Sequence, residues 1–258
     1  MKTLLIGSSF SAVPMLVDLK RRGASVTVIG KYKDDPCHLY ADHSVFADYS
    51  DPEALLRVCR DYGFDYMVPS CNDYAYISAS FVADKLGLPG FDKPEITATL
   101  HTKDKFRHFC QEIGVRVPKT YGEVSAGQQN LSEEIQGSVL VKPVDSFSGR
   151  GVQRVYHGQD MPAAITVALS MSRDARAIVE EFVDGALHSH TAFIANGQVV
   201  WHDFVDEFCE VYPYQVDSSC YPSRLSPTLR SAVHESMEKI IAAPTLCCLL
   251  YTLSSPRD

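Results

Sequence analysis

Several features that would assign this sequence to a protein class at once are missing. No G-x-G-x-x-G follows the first apolar segment, where Gly7-Ser8-Ser9 stands instead, so the backbone approach to a pyrophosphate made by dinucleotide-binding proteins is not indicated. The eight cysteines show no C-x-x-C or other spacing typical of metal ligands. Because no signal peptide begins the chain, we expect reduced thiols and a cytoplasmic protein.

Positive charge and long apolar runs are also scarce. The 24 lysine and arginine residues are outnumbered by 32 aspartate and glutamate residues, which gives a net charge of -8. No basic stripe offsets this balance, so we expect no nucleic-acid partner. The longest apolar run, near residues 240–253, is interrupted by Pro244 and is too short to span a bilayer, so we expect no membrane partner.

What is present is an alternation of strand-like and helix-like segments. Lys2–Ile6 is apolar, an amphipathic helix is predicted to about Arg22, and the β-branched run Ser25–Ile29 follows. Strand–helix–strand is the unit of a parallel sheet. The pattern continues to Leu88-Pro89-Gly90, and we place the end of a Rossmann-like domain at residue 92.

The remainder is predicted to be α/β and then antiparallel. A helix is predicted over Lys103–Ile113. Strands are expected at 139–142, 151–156 and 177–182. They alternate with helices expected near 132–136 and 161–171. From Ala192 the pattern indicates a hairpin around Asn196-Gly197, and Ser226-Pro227 is typical of the start of a helix, here through Ile241.

The segment Val139–Val152 carries the first sign of chemistry. It is a short strand ending in Lys142, a Gly/Ser loop, and a second strand. An ammonium beside a loop rich in backbone N–H groups suits a polyphosphate. The same residues also fit a solvated hairpin with an exposed lysine. Asn72 and Asp73 also have two interpretations. They are either ligands at a strand end or residues that cap the next helix.

Taken in order, four segments resemble the ATP-grasp ligases: Asp104-Lys105, Val141-Lys142-Pro143, Asp145 to Val152, and Val179 to Gly185. The resemblance covers about residues 1–243. It implies the Rossmann-like domain (1–92), linker helices and an α+β lid subdomain (93–184), and an incomplete antiparallel C-terminal subdomain (185–243). ATP is expected between the last two.

The resemblance also implies roles for individual residues. Lys105 and Lys142 would contact the α- and β-phosphates, and Glu180 and Val183 would hydrogen-bond the adenine with Phe182 against its face. The phosphates would be covered by a loop that contains Ser146, Ser148, Gly149 and Gly151.

Some positions depart from the family pattern. A glutamate that often holds the ribose is replaced by Leu187, so Asp184 or Glu181 would take over or the contact would be weak. His188 and His190 share a face if they lie on a strand. They would then be either a metal-binding pair or ordinary polar residues, and we assign no metal ligand. The acidic and aromatic segment 206–216 is expected to shape a substrate pocket together with Arg224, which would bind a substrate carboxylate; the alternative is that the segment is a surface loop.

The C-terminal part lacks the acidic pair that usually binds Mg²⁺ in this family. Residues 244–258 resemble a translated sequencing adapter, and we interpret them as a non-native tail on a truncated frame, the alternative being a genuine short C-terminus. We therefore expect an ATP- and Mg²⁺-dependent carboxylate–amine ligase, here an incomplete one. The alternatives are a nucleotide-binding protein without ligase turnover and a reductase that binds NAD(P)H within residues 1–90.

Overall fold

The computed structural model describes residues 1–132, 134–156, 158–243 and 248–256. The chain divides into two compact units, Met1–Ala98 and Thr99–Asp258. Within the described residues no helix is both long enough and apolar enough to cross a bilayer.

The first unit is built on a parallel sheet. Its strands, in the spatial order β3-β2-β1-β4, are β1 (Lys2–Ile6), β2 (Ser25–Ile29), β3 (His43–Val45) and β4 (Tyr66–Pro69). Its helices are α1 (Val13–Arg21), α2 (Pro36–Tyr40), α3 (Pro52–Tyr62) and α4 (Asp73–Leu86), and α5 (Pro94–His101) crosses the boundary between the units. The sequence predicted this alternation but missed the five-residue helix α2.

Apolar residues cover both faces of this sheet. Leu4 and Ile6 pack in a cluster with Leu55 and Ala79 of α3 and α4. Leu5 belongs to a second cluster with Leu16 of α1. Successive side chains of a strand point to opposite faces, so a continuous apolar run is what a sheet covered by helices on both sides requires.

Asn72 caps a helix in this unit. Its side chain accepts hydrogen bonds from the backbone N–H groups of Tyr74 and Ala75 at the start of α4. The capping interpretation is therefore confirmed, since the side-chain oxygen satisfies donors that an α-helix leaves unpaired.

The second unit begins with an antiparallel sheet of order β6-β5-β9-β7-β8. Its strands are β5 (Thr120–Ser125), β6 (Gln128–Leu131), β7 (Val139–Pro143), β8 (Gln153–Val155) and β9 (Arg176–Glu181), and its helices are α6 (Lys103–Glu112) and α7 (Met161–Met171). Val139, Val141 and Val179 pack with Ala164 and Ile165 of α7. The alternate residues of β7 and β9, which include Lys142 and Glu180, therefore lie on the opposite face.

A second antiparallel sheet follows, with strand order β12-β11-β10-β13. It contains β10 (Leu187–Ala195), β11 (Gln198–Phe208), β12 (Ser218–Cys220) and β13 (Cys248–Pro256), and the helix α8 (Pro227–Ala242) precedes β13. The predicted hairpin is confirmed: Asn196 and Gly197 connect β10 and β11 with φ values of 52° and 75°. Ser226 caps α8 by accepting from the N–H of Leu229.

Two predictions about local structure need correction or restriction. The predicted helix near 132–136 is wrong for the described residues there. Ser132 Oγ accepts from the N–H of Glu134, and such a local side-chain hydrogen bond competes with helix formation. Of the predicted tail, residues 244–247 and 257–258 lie outside the described residues. The backbone of β13 pairs along β10.

The predicted boundary at 184/185 falls between β9 and β10, which belong to different sheets. The predicted boundary at 92/93 lies slightly before the division between the two compact units. Residues 182–186, the hinge, connect β9 and β10.

Candidate functional site: a buried lysine–glutamate–arginine cluster, a Gly/Ser loop and a cavity

One face of α6 approaches β9 and the loop after β7. Arg107 contacts Glu180 on β9, and the Lys103 ammonium donates to the carbonyl oxygen of Ser146. Residues four apart share a face of an α-helix. Lys105, two residues from each of them, lies on the other side of α6 and is exposed. The structure therefore does not bring Lys105 to Lys142.

Glu180 is the centre of this cluster. Its side chain is 1% exposed, its Oε1 accepts from the Lys142 ammonium, and its Oε2 lies 2.9 Å from Arg107 Nε. Arg107 Nη2 lies 3.4 Å from Oε1. The carboxylate thus holds two cations, one at the end of β7 and one on α6.

The pKa of Glu180 is set by opposing effects. Burial acts to raise it, but the charges of Lys142 and Arg107 and their hydrogen bonds lower it, and the net shift is downward. A buried carboxylate stays ionised only when cations and donors compensate for its lost hydration. At neutral pH the cluster therefore carries one negative and two positive charges.

A second ion pair fixes how α6 lies along β9. Asp104, which is buried, pairs with Arg176 at the start of β9. Lys103 also donates its backbone N–H to the carbonyl of Val144, just after β7. These contacts place Arg107 beside Glu180 at the far end of β9.

The loop after β7 has a backbone that only a few residue types adopt readily. Ser148, Gly149 and Gly151 have φ values of 56°, 69° and 75°. A Cβ atom on Gly149 would lie 2.7 Å from the carbonyl oxygen of Tyr214, so glycine is required there for space as well as for φ. Ser146 is buried. Because Gly149 lies against the backbone of Tyr214, the loop rests on the acidic and aromatic segment 206–216.

The end of β9 and the start of the hinge were predicted to hold the adenine. The backbone N–H groups of Glu181 and Phe182 donate to the carbonyls of Lys119 and Ser138, and Glu181 Oε1 accepts from the N–H of Lys119. The Arg154 guanidinium lies 3.4 Å from the centre of the Phe182 ring. One face of the Phe182 ring is thus already covered by Arg154.

A cavity of about 610 Å³ opens directly after the hinge. It is lined by residues from the hinge and β10, from the end of β11, and from the turn before α8, namely 185–188, 206–209, 224–226 and 229. The segment predicted to shape a substrate pocket contributes the wall formed by β11.

Asp206 organises the polar side of this cavity. Its Oδ1 accepts from Ser223 Oγ at 2.6 Å and lies 2.8 Å from His188 Nδ1. Its Oδ2 accepts from Arg224 Nε at 3.0 Å, and the Arg224 backbone N–H also donates to it. Burial acts to raise the pKa of Asp206, but these hydrogen bonds lower it well below its usual range.

Arg224 and Glu207 present charge to the cavity. The Arg224 side chain is 81% exposed while its Nε is held by Asp206, which leaves the outer edge of the guanidinium facing solvent. Glu207 pairs with Leu187 across β10 and β11, and its Oε2 is buried with no hydrogen-bond partner among the described residues. Sequence reasoning named Glu207 only as a member of segment 206–216, because strand register alone shows that it pairs with Leu187.

His188 and His190 share a face of β10 but have different partners. His188 contacts Asp206, whereas His190 Nε2 lies 3.1 Å from His202 Nδ1. The two were considered as a metal pair with each other, and the structure instead groups His190 with His202 and His234.

The chain was compared with known proteins. No protein-family model matches it. A formate-dependent phosphoribosylglycinamide formyltransferase from Synechococcus sp. (strain CC9311) is 26% identical over 234 residues, 87% of this chain and 59% of that protein. The enzyme of the same name from Prochlorococcus marinus subsp. pastoris is 30% identical over 190 residues, 71% of this chain and 48% of that protein. The chain thus spans about half to three fifths of these relatives' length.

Solved structures resemble almost the whole chain. Phosphoribosylglycinamide synthetase from Anaerococcus prevotii matches with a TM-score of 0.73 and 18% identity, covering 99% of this chain and 68% of that one. Biotin carboxylase from Campylobacter jejuni, solved as a β,γ-ATP complex, matches with a TM-score of 0.77 and 20% identity, covering 99% and 65%. The chain has the ATP-grasp fold.

The ATP-grasp fold brings some of the predicted residues together. Lys142 and Glu180 are in contact, and Ser146 is tied to α6 through Lys103. Gly149 places the Gly/Ser loop against segment 206–216. Arg107 and Lys103 were missed by sequence reasoning, although their spacing of four on an amphipathic helix was the available signal.

Proposed function

We propose that this chain binds ATP and forms part of an ATP-dependent carboxylate–amine ligase. The observation that carries the proposal is the Lys142–Glu180 contact immediately before the Gly/Ser loop. A lysine held at a strand end by a buried carboxylate presents its remaining N–H donors in a fixed direction. Adjacent loop amides add the donors that a polyphosphate needs.

The phosphates are proposed to lie between Lys142 and the loop that contains Ser146, Ser148, Gly149 and Gly151. The backbone N–H groups of Ser148 and Gly149 make no hydrogen bond within the described residues. Consecutive residues with positive φ form a concave set of amides, which is a known anion-binding arrangement. Lys103 anchors this loop, and we propose it in place of Lys105 as the α6 lysine that serves the nucleotide.

The adenine is proposed to lie against the hinge. The N–H groups of Glu181 and Phe182 are bonded to protein carbonyls, and Glu180 is a register partner of both Thr120 and Leu140 within the sheet. The contacts with the base therefore fall to the carbonyl of Glu181 and to the backbone of Val183. Phe182, covered by Arg154 on one face, contributes its other face or its edge.

The cavity after the hinge is proposed to hold the ribose, the outer phosphates and the second substrate. We assign Glu207 to bind a ribose hydroxyl or a Mg²⁺ ion. Its Oε2 has no hydrogen-bond partner among the described residues, and oxygen is the ligand atom that Mg²⁺ prefers. A bound Mg²⁺ would offset phosphate charge. Asp206 is not suited to bind a ribose hydroxyl or Mg²⁺, because its carboxylate already contacts Ser223, Arg224 and His188.

Arg224 is proposed to bind the carboxylate substrate. Asp206 fixes its Nε, so the outer edge of the guanidinium can accept an anion bidentately with little loss of side-chain freedom. Relatives at 26–30% identity are named formate-dependent, which makes formate the first carboxylate to test.

The proposed reaction has two steps. A carboxylate oxygen attacks the γ-phosphorus, the bond to the β,γ-bridging oxygen breaks, and an acyl phosphate and ADP form. An amine then attacks the acyl carbon and expels phosphate, while a proton leaves the nitrogen. The residues named above act by positioning and by stabilising phosphate charge.

The proposal extends to location and partners. None of the six cysteines whose side chains the structure describes is in a disulfide, which fits a reducing compartment and the proposed cytoplasmic location. The net charge of -8 favours small-molecule substrates over nucleic acid as partners.

Binding of a fluorescent ATP analogue, with and without Mg²⁺, tests the nucleotide site. We expect Lys142→Ala to weaken binding about tenfold or more, as loss of a charged hydrogen bond implies, and Lys142→Arg to retain part of it. Lys85→Ala, on the exposed surface of α4, is the matched control. Unchanged binding in Lys142→Ala overturns the assignment.

Release of ADP tests turnover. The full chain is incubated with ATP, Mg²⁺ and pairs of carboxylates and amines, with formate included. ADP release that needs both partners supports the ligase. ATP binding without such release, for every pair, supports the alternative of a nucleotide-binding protein, and NAD(P)H binding in place of ATP would support a reductase.

A further inference from the structure

Three histidines meet between the second sheet of the second unit and the helix that packs on it. They are His190 on β10, His202 on β11 and His234 on α8, and one ring nitrogen of each lies within 4.8 Å of the others. His190 Nε2 and His202 Nδ1 are 3.1 Å apart. The rings of His202 and His234 are stacked with centroids 4.2 Å apart.

The register of β10 and β11 produces this cluster. His190 pairs with Phe204, and His202 pairs with Ala192, so the two histidines are diagonal neighbours on one face of the sheet. Phe204 stacks on His190 with ring centroids 4.3 Å apart and restricts that ring. His234 approaches the same face from α8, with its ring centroid 5.5 Å from that of His190.

Two ring nitrogens in the cluster lack a partner. His190 is fully buried, and its Nδ1 has no hydrogen bond among the described residues. His234 Nδ1 is likewise buried and unpaired, while its Nε2 lies 3.7 Å from Glu238. A buried polar atom without a partner is costly, and His234 Nδ1 is therefore available as a ligand atom. In His190 the nitrogen near His202 is Nε2, so Nε2 is its ligand atom and Nδ1 carries the ring proton.

His190 and His202 are suited to act as neutral ligands. Burial and then the neighbouring His202 and His234 lower the pKa of His190 to about 4. Burial, followed by His234, also lowers the pKa of His202. Neutral imidazoles keep the nitrogen lone pair that a metal ion requires.

We propose that His190, His202 and His234 form a zinc site. In a tetrahedral site with Zn–N bonds of about 2.0–2.1 Å, ligand nitrogens lie roughly 3.3 Å apart, close to the 3.1 Å between His190 and His202. The His234 nitrogen lies within 4.8 Å of the other two, and binding of zinc would require rotation of its side chain toward them. The site differs from the proposed nucleotide site, because three imidazoles suit zinc and do not suit Mg²⁺, which prefers oxygen.

The surroundings provide access and an outer shell. A cavity of about 250 Å³ adjoins the cluster and is lined by His202, Asp203, Phe204, Arg230, Ser231 and His234. The fourth position of the metal would face this cavity and hold water. Glu238, facing His234 Nε2, orients that ring as outer-shell carboxylates commonly do. Asp203 adds negative charge beside His202, and the guanidinium of Arg230 is engaged by the carbonyls of Leu225 and Ser223.

A zinc ion here would join β10, β11 and α8. These elements carry the wall of the larger cavity, since His188 and Asp206 lie further along the same strands and α8 follows the turn that contains Arg224. The inference goes beyond the proposed ligase function and does not depend on it. Failure of ATP binding would leave it untouched.

The test uses the untagged full chain, freed of metal with a chelator. Zinc binding is measured by competition with a chromophoric chelator, and Co²⁺ is used as a spectroscopic probe. We expect one equivalent of zinc per chain, a Co²⁺ spectrum typical of tetrahedral nitrogen coordination, and a melting temperature that rises with zinc concentration.

Variants connect the signal to the cluster. His202→Ala changes an exposed residue, so the fold should survive, and we expect zinc affinity to fall by more than the roughly 10–100-fold that loss of an outer-shell partner costs. His234→Gln should behave alike, and Glu238→Gln should have the smaller, outer-shell effect. His43→Ala, an exposed histidine on β3, is the matched control and should leave affinity unchanged.

Two results overturn the proposal. One is the absence of stoichiometric zinc binding by the wild-type chain. The other is equal zinc affinity in the wild type, His202→Ala and His234→Gln, each confirmed as folded by circular dichroism. In either case the three rings form only a hydrogen-bonded and stacked cluster.

Discussion

Lys142 and Glu180 contact each other across neighbouring antiparallel strands, although they are not direct register partners. Leu140 pairs with Glu180 and Lys142 with Ile178, so the ion pair is diagonal and lies on the face opposite α7. Arg107 reaches the same carboxylate from α6. One buried acid thereby ties together the strand that precedes the Gly/Ser loop, the strand that precedes the hinge, and the helix beside them.

Neutralising Glu180 should destabilise the chain in a pH-dependent way. Glu180→Gln leaves Lys142 and Arg107 near each other without an anion, and we expect a loss of about 3–5 kcal/mol in the free energy of unfolding at pH 7. Because the folded pKa of Glu180 is below the ordinary value of 4.5, its contribution is present above that value and disappears as pH falls through the folded pKa. Urea unfolding at several pH values measures this.

The comparison of wild type and Glu180→Gln provides the control. The stability difference should be constant well above the ordinary value of 4.5 and should shrink as pH falls below that value and through the lower pKa of the folded carboxyl. A difference that stays constant down to the acid limit would contradict an ionised Glu180.

Gly149→Ala should displace the Gly/Ser loop. The new Cβ would lie 2.7 Å from the carbonyl oxygen of Tyr214 at a φ of 69°. Gly127→Ala is a matched control, since Gly127 also has a positive φ, 80°, but no atom within 4 Å of the added Cβ. Both should lose about 1 kcal/mol for backbone conformation, and Gly149→Ala about 1–3 kcal/mol more for overpacking. Urea unfolding and the ATP dissociation constant are the measurements, and equal losses would show that the loop does not rest on Tyr214.

Lys103 and Lys105 should differ in their effect on nucleotide binding. Lys103 donates to the loop carbonyl of Ser146, whereas Lys105 is exposed on the other side of α6. We expect Lys103→Ala to raise the ATP dissociation constant several-fold and Lys105→Ala to change it little. The reverse order would restore the sequence-based assignment of Lys105.

Removing the charge of Asp206 should loosen the cavity wall. Asp206→Asn weakens the hydrogen bonds with Ser223, Arg224 and His188, and we expect a loss of about 1–3 kcal/mol at pH 7. The pKa of Asp206 is lowered from its usual 3.8, so this contribution is present above that value and is lost only in strong acid. Arg224→Ala should weaken carboxylate binding with a smaller loss of stability. Denaturation and carboxylate titration separate the two effects, and equal losses of stability would contradict this division of roles.

Thiol labelling should follow burial. Burial raises the pKa of Cys59 to about 12, and burial, opposed by Arg107, raises that of Cys110 to about 11, so neither forms the reactive thiolate at pH 8. Among the described cysteines, Cys71 and Cys220 are exposed and should react first with iodoacetamide, as mass spectrometry of the native chain would show. Early labelling of Cys59 would indicate local opening of the first unit.

Local patterns were sufficient for much of the fold. The apolar runs of β1 and β2, the Asn196-Gly197 turn and the Ser226 cap are encoded in neighbouring residues, and the structure has each where it was predicted. The failures have a local cause too. α2 has only five residues, which is too short for a helical period to be recognised, and a segment as short as 132–136 is equally too short for a helix to be predicted from its period.

The sequence by itself determined the strand–helix alternation that begins the chain, the position of Lys142 before a Gly/Ser loop, and the acidic pair Glu180-Glu181 at the end of β9. Those features depend on residues adjacent in the chain. Only the tertiary structure decided that Arg107 rather than Lys105 meets Glu180, that Glu207 faces Leu187, and that His190 meets His202 and His234. These contacts join residues from different helices and strands, so they depend on strand register and helix orientation, which the packing of the whole unit sets and no single segment encodes.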